Sequence, residues 1–252
     1  SITEDIKMKM TKIVSMIGTG AAIALFSFGA QANLLTNGTF EADNAFAGAV
    51  PCTPNGCTGW EAFESVFTKR TVDQFNNFGP VSHDTGGVNS LQMFGPFQLN
   101  PNAAGAFQVV DGIGPGAYQA EAWAMNWAPD TFTNIGILQL SFWDGAGATG
   151  NNLLQVEVTL DSTTNPLAQD ISLAPQDGAD ISDWTQLLID ANAPAGTVSA
   201  KVFMLHIQTD PVSGGSLFWD DVSLTQVPVP AAVWLFGSGL LGLVGVARRR
   251  KS

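Results

Sequence analysis

Strand-length runs, broken repeatedly by glycine, proline, asparagine and aspartate, leave this chain few folds to choose from. Val156, Val158 and Leu160 alternate with Gln155, Glu157 and Thr159, the period of two that puts one side of a strand in a core and the other in water. Further strands are expected over residues 60–70, 90–94, 107–110, 118–127, 137–143, 184–189, 200–208 and 217–225. Clusters such as Asp111-Gly-Ile-Gly-Pro-Gly116 separate them, because these residues supply the backbone angles of tight turns. Between residues 33 and 226 no helical period competes and no fixed repeat recurs. Many short strands without alternating helices predict an all-β fold, an antiparallel sandwich or jelly roll.

The C-terminal end breaks the pattern. Residues 231–247 carry no charge, and as a helix they would measure roughly 25 Å, near the least that crosses a bilayer's hydrocarbon core. Pro228 and Pro230 form a hinge ahead of this run, and Pro230 can open a helix without losing a hydrogen bond. Arg248, Arg249, Arg250 and Lys251 follow, a cluster that tends to stay on the cytoplasmic side, so everything before the hinge would lie outside. Read as chemistry alone, the tail also suits a permanent single-pass anchor or a buried helix.

Taken in order, Pro228, Pro230, Ala231, the apolar run Trp-Leu-Phe-Gly-Ser-Gly-Leu-Leu-Gly-Leu and the arginine cluster of residues 248–250 resemble a PEP-CTERM signal. Such tails direct exported bacterial proteins to an exosortase. Val229 departs from the family, which has an acidic residue between the prolines. The resemblance implies an inner-membrane intermediate, cleavage near the hinge by an exosortase-like enzyme, and delivery to the cell surface or extracellular matrix in association with exopolysaccharide.

At the other end, Lys7, Lys9 and Lys12 precede an apolar stretch at 13–28, and Ala30-Gln31-Ala32 offers small residues at a cleavage position. This is the pattern of a secretory signal peptide, with a first transmembrane helix as the alternative. Met8 or Met10 is the more natural start, so the first seven residues read as an upstream extension. The expected organisation is an extension and signal peptide at 1–32, one domain at 33–226, and a sorting tail at 227–252 with a transmembrane helix at 231–247.

The central segment holds 20 of the 22 acidic residues but only Lys69, Arg70 and Lys201 among basic ones. A field of that sign repels phosphate backbones and anionic lipid, which excludes nucleic-acid binding and favours cations and neutral or weakly cationic polysaccharides. Cys52 and Cys57 are the two cysteines, and an oxidising compartment would allow them to close as a disulfide around Thr-Pro-Asn-Gly. A redox pair or half of a zinc site stays open as an alternative.

Two further motifs sharpen the fold. Asn33-Leu-Leu-Thr-Asn-Gly-Thr-Phe-Glu41 and Leu217-Phe-Trp-Asp-Asp-Val-Ser-Leu224, with Gly59-Trp60 between them, resemble the first, last and second strands of galactose-binding-like jelly rolls, the fold of many carbohydrate-binding modules. That resemblance implies a structural calcium where the motifs meet, held by Glu41 and by Asp220 or Asp221, with Asp43 and loop carbonyls. Hard oxygen donors of this kind suit calcium, and solvated carboxylates at strand ends are the plainer alternative.

Along 118–125, Tyr118, Ala120, Ala122 and Ala124 alternate with Gln119, Glu121, Trp123 and Met125. The second set mixes indole and polar groups, as a sugar platform would, and Gln119, Glu121, Trp123 and Trp127 with Trp143 are the candidate glycan-binding residues. The alternative is that these tryptophans are core. Gly145-Ala-Gly-Ala-Thr-Gly150 matches a dinucleotide pattern but leads into a strand, so it is expected to be a hairpin loop. His83 and His206 are too few for a histidine metal site. The expectation is therefore an exported, non-enzymatic surface or matrix protein, with a carbohydrate-binding module or a glycoside-active enzyme as alternatives.

Overall fold

All but one of the strands expected from the sequence form as single strands, and most run further than the sequence pattern alone marks. The computed structural model describes residues 32–43, 50–51, 57–64, 69–73, 80–94, 102–128, 133–162, 171–173, 177–209 and 214–228. The signal peptide expected before Ala32 lies outside the described residues, as do Cys52, Pro230, Ala231, the helix at 231–247 and the arginine cluster.

Among the described residues the strands are β1 (Val50–Pro51), β2 (Glu61–Glu64), β3 (Lys69–Asp73), β4 (Asn89–Phe94), β5 (Asn102–Asp111), β6 (Gly116–Asn126), β7 (Ile135–Gly145), β8 (Thr149–Ser162), β9 (Ile171–Leu173), β10 (Thr185–Ala193), β11 (Ser199–Gln208) and β12 (Ser216–Gln226). They form two six-stranded sheets, the first ordered β1-β3-β4-β12-β6-β10 and the second β2-β5-β11-β7-β8-β9. Successive strands mostly switch sheets, which makes a jelly-roll sandwich. One expectation needs correcting, and one strand pair departs from the antiparallel plan. The run expected over 60–70 is two strands, β2 and β3, in different sheets. One pair, β8 with β9, is parallel, so the second sheet is not wholly antiparallel.

The core lies between the sheets and is built by complementing small with large. Ala120, Ala122 and Ala124 of β6 and Ala104, Ala106 and Ala200 of the second sheet are fully buried, which leaves room for Trp219, Phe142, Leu138, Leu140 and Leu160. Gly145 and Thr149 are registered across the β7–β8 hairpin, and residues 146–148 make its turn, as expected for the glycine-rich stretch there.

The opening motif is not a ladder strand. Asn37 and Phe40 adopt φ of 52° and 59°, so the segment bends instead of extending. It is nonetheless tied to both sheets. Leu34 N–H donates to the Leu224 carbonyl at 2.8 Å, Val222 N–H to the Gly38 carbonyl at 2.9 Å, and Asn33 Oδ1 accepts from Leu35 and Leu224. On the other side, Gln108 of β5 accepts from Thr36 N–H at 2.6 Å and donates to the Thr36 carbonyl at 2.9 Å. Phe40 is fully buried and packs on Trp60, the burial that holds a bulky residue in a left-handed conformation.

Candidate functional site: two outer faces and the loop between them

The closing motif lies on β12, in the middle of the first sheet. Its ladder with β6 shifts register between Asp220 and Ser223, and Asp221 sits at φ 45°, which marks a β-bulge. In a regular strand neighbouring side chains leave opposite faces, whereas the bulge sends Asp220 and Asp221 to the same segment before β4. Asp220 Oδ2 accepts from Ser82 Oγ and His83 N–H at 2.8 Å each and from Asp84 N–H at 3.4 Å. Asp221 Oδ2 lies 2.6 Å from His83 Nδ1. Asp220 is fully buried, and that desolvation pushes its carboxyl up to about 8 against the opposing pull of the Ser82 hydroxyl bond. Asp84 is also raised, by burial first and then by the charge of Asp221, with His83 opposing.

The four carboxylates expected to share a calcium do not close round one point. Glu41 Oε1 accepts the N–H groups of Val88 at 2.7 Å and Asn89 at 2.6 Å, at the far end of the loop that Asp220 grips. Asp43 faces Thr58, whose N–H and Oγ donate to it at 2.9 and 2.8 Å. Among the described residues no three Asp, Glu, His or Cys side chains converge as metal ligands. What the structure does bring to Glu41 is Asp84, a residue the sequence did not single out. A Cβ built on Gly87 would lie 2.7 Å from Glu41 Oε1 and 2.8 Å from Asp84 Oδ2, so glycine keeps these two oxygens converging on one spot. Asn89 Oδ1 nearby is buried without a hydrogen-bond partner among the described residues.

On the outer face of the first sheet, Gln119, Glu121 and Trp123 of β6 stand together, as the alternation predicted. Glu121 Oε1 accepts from Trp123 Nε1 at 3.1 Å and from Gln186 Nε2 at 2.6 Å, and Gln119 Nε2 donates to Asp190 at 2.9 Å. Trp123 and Trp127 pack against a second small core of Met125, Trp184 and Phe218. His83 stacks on Trp123 at 3.9 Å and 17°. Trp127 meets Phe218 edge-on at 5.9 Å and donates to the Asp177 carbonyl at 2.9 Å. Trp123 and Trp127 stay partly buried, while Met125, Trp184 and Phe218 beneath them are buried.

Trp143 does not belong to that platform. It lies on β7 in the second sheet, on the opposite outer face of the sandwich. Register places the neighbours there in rows across β2, β5, β11, β7 and β8. One row reads Glu61, Phe107, Phe203, Gln139, Glu157, and the next towards Trp143 reads Val109, Lys201, Ser141, Gln155. Phe203 meets Phe107 edge-on at 5.5 Å and Phe63 at 5.4 Å. Gly105 makes this possible, since a Cβ there would lie 2.6 Å from the Phe203 ring. Beside the rings runs a polar ladder: Gln139 and Gln155 donate to Glu157 at 3.2 and 3.4 Å, and Asn152 donates to Gln155 at 3.2 Å. Trp143 Nε1 donates to Ser141 Oγ at 3.0 Å, which fixes the indole. Sequence reasoning missed Phe107, Lys201 and Phe203, although the alternation of Ala200, Val202 and Met204 with Lys201, Phe203 and Leu205 carried the signal.

Towards the tail, β12 ends at Gln226, and Val227 N–H donates to the Ala117 carbonyl at 2.8 Å. Residues 226–251 match the family described as the PEP-CTERM protein-sorting motif, so the motif begins on the last residue of β12. The chain thus carries the sorting signal of proteins exported with a C-terminal membrane anchor that is processed on the way to the cell surface or beyond. No match was found among curated proteins. Among solved structures the chain is similar to TmCBM61 in complex with beta-1,4-galactotriose, at 17% identity and TM-score 0.47 over 78% of this chain and 99% of that one. It is similar to Family 16 Carbohydrate Binding Module-2 at 20% identity and TM-score 0.41, covering 77% of this chain and 100% of that one. It also resembles the enzymatically active domain of bacteriophage CBA120 tailspike protein 4, at 14% identity and TM-score 0.47 over 77% of this chain and 21% of that one.

Proposed function

We propose that this is an exported surface or matrix protein whose tail is processed by an exosortase-like enzyme and whose sandwich holds a polysaccharide across the outer face of the second sheet. One observation carries the binding reading: Phe63, Phe107 and Trp143 stay partly exposed on one face, alongside an exposed ladder of amides and a carboxylate. Rings stack on the C–H faces of sugars while amides and carboxylates exchange hydrogen bonds with hydroxyls, and a face that runs across five strands suits an extended chain. The protein acts here as a binder and not as an enzyme. The test is retention of the exported protein on a panel of polysaccharides, compared with a Phe107→Ala, Trp143→Ala double variant of unchanged melting temperature. Binding should fall at least about tenfold in the variant, and retention unchanged by the double substitution would sink the reading.

The sorting half has its own test. Because Val227 is tied to β6, the segment open to a protease starts at Pro228, and the mature C-terminus is expected near Pro230. An intact Arg248–Arg250 cluster on protein at its final location would favour a permanent anchor. The reading also includes a structural calcium held by Glu41 and Asp84, which would supply only charge neutralisation and crosslinking of the loop before β4. A Cys52–Cys57 disulfide closed after export completes it, to be checked by thiol alkylation before and after reduction.

A further inference from the structure

We infer that the outer face of the second sheet selects polysaccharides bearing carboxylate groups, and that Lys201 is the residue that reads the carboxylate. The inference rests on the binding reading above and specifies its ligand class.

Lys201 belongs to β11, flanked by β5 and β7, well inside the sheet. Its ammonium lies 5.3 Å from the Phe107 ring centre, 5.2 Å from Phe203 and 5.6 Å from Trp143. Rings from three adjacent strands therefore fix one positive charge among them, each attracting it through the negative face of its π system. In a segment with 20 acidic and three basic residues, a lysine would be expected to find a carboxylate. Lys201 forms no ion pair among the described residues, where the one such contact is His83 with Asp221.

The acids of this face are committed elsewhere or stand apart. Asp111, diagonal to Lys201 across β5, accepts from Gly147 N–H at 2.7 Å. Glu157, two strands away, takes Gln139 and Gln155. Glu61 projects exposed from β2, beyond Phe107, and Asp161 lies buried three rows away, its carboxyl raised by desolvation. What remains is an ammonium positioned by the same rings that would stack a sugar. A uronate carboxylate projects from the rim of its pyranose ring, so a sugar seated on Phe107 or Trp143 with that edge turned inward would carry the group towards the ammonium that sits among the three rings. A charge-assisted hydrogen bond there is stronger than one to a hydroxyl.

The overall negative charge of the segment argued for neutral ligands. At physiological ionic strength charges further than about 8 Å apart are largely screened, so the groups within one or two strands of the contact decide. On that scale Lys201 is the one positive charge of this face among the described residues, against Asp111 one strand away and Glu157 and Glu61 two strands away, so a carboxylate is favoured only where it touches the ammonium directly.

The experiment compares the exported protein's binding to polygalacturonate and to alginate, each beside its methyl ester, which keeps the chain and removes the charge. Wild-type protein should bind at least one acid form about tenfold more tightly than its ester. Lys201→Met should erase that ratio, and Lys201→Arg should preserve it. Equal binding of acid and ester by the wild type, or a ratio surviving in Lys201→Met, overturns the inference and leaves the face as a neutral-glycan site. Failure of every polymer to bind overturns the inference and the binding reading together. The wild-type acid-to-ester ratio needs no variant to fold, so a destabilised Lys201→Met does not obscure the result.

Discussion

On the first sheet Trp123 lies under His83 at 3.9 Å and Trp184 donates to the Val81 carbonyl at 2.8 Å, whereas on the second sheet Phe107 and Trp143 meet the ammonium of Lys201. Trp123, Phe107 and Trp143 all occupy outward strand positions, and Trp184 sits just ahead of β10. The difference lies in what crosses them. The segments at 80–84 and 177–184 cover the first face, anchored by Asp220 and by the Asp180 cap of the 3-10 turn at Ile181–Asp183. A tryptophan at an outward strand position is therefore core or platform according to the loops above it, and the position alone does not decide.

That comparison can be broken most forcefully by pH. Asp220 anchors the covered face, and its folded carboxyl stands at about 8 because burial disfavours its charge. Between the unfolded value of 3.8 and about 8 the folded state holds the extra proton, so stability falls as pH rises. The stabilisation is complete below 3.8 and gone above about 8, a change on the order of several kcal/mol for one group. Urea unfolding at pH 5 and pH 8.5, with chelator present, should show the loss. Asp220→Asn should flatten it, and an unchanged slope in that variant would show that another group titrates.

Next in size is the packing of the covered cluster. Phe218 is fully buried and Trp184 nearly so, and replacing either with alanine should cost about 3–5 kcal/mol in unfolding free energy. Polysaccharide retention per folded molecule should not move. Phe107→Ala should do the reverse, costing little stability and most of the binding. If Phe218→Ala abolished binding at a temperature where the protein stays folded, the roles of the two faces would have to be exchanged.

Calcium comes third. A cation that binds the folded loop and not the unfolded chain stabilises by about 2.7 kcal/mol at a hundredfold excess over its dissociation constant. Chelator should lower the melting temperature, magnesium should substitute poorly because it keeps its waters, and Glu41→Gln should lose the response. Identical transitions with and without calcium would remove the cation, and a full response in Glu41→Gln would remove Glu41.

The strands were legible because alternation is local, and so was the inward face of β6, where Tyr118, Ala120 and Ala122 are buried as their spacing required. Which sheet a strand joins is not local. Trp123 and Trp143 read alike in sequence, and the crossing between β6 and β7 puts them on opposite faces. Asp220 and Asp221 were expected to act beside Glu41 at the meeting of first and last strands. A bulge with Asp221 at φ 45° aims them at residues 82–84 instead, and no glycine announces that angle. Asp84 joins Glu41 only through the fold of a loop, for which strand periodicity holds no information.

The smallest expected effect separates ligand classes on the open face by its sign. Glu157 is exposed and accepts from Gln139 and Gln155, so Glu157→Gln should change stability by no more than about 0.5 kcal/mol. Its carboxylate stands two strands from Lys201, a separation of roughly 10 Å at ordinary strand spacing. Across that distance in a watery medium two unit charges interact by about 0.4 kcal/mol, or roughly twofold in affinity, before salt reduces it. For a uronate held at Lys201 the glutamate is a repelling neighbour, and Glu157→Gln should tighten binding by about that factor, more at low salt than at high. For a neutral glycan the same carboxylate is a hydrogen-bond acceptor for hydroxyls, stronger than the amide that replaces it, so binding should weaken. Calorimetric titration of the variant with polygalacturonate and with its methyl ester reads both signs in one experiment. Tightening on the acid and weakening on the ester would show one contact surface serving both, whereas weakening on both would mean that Glu157 touches the sugar and that its charge is not felt at Lys201.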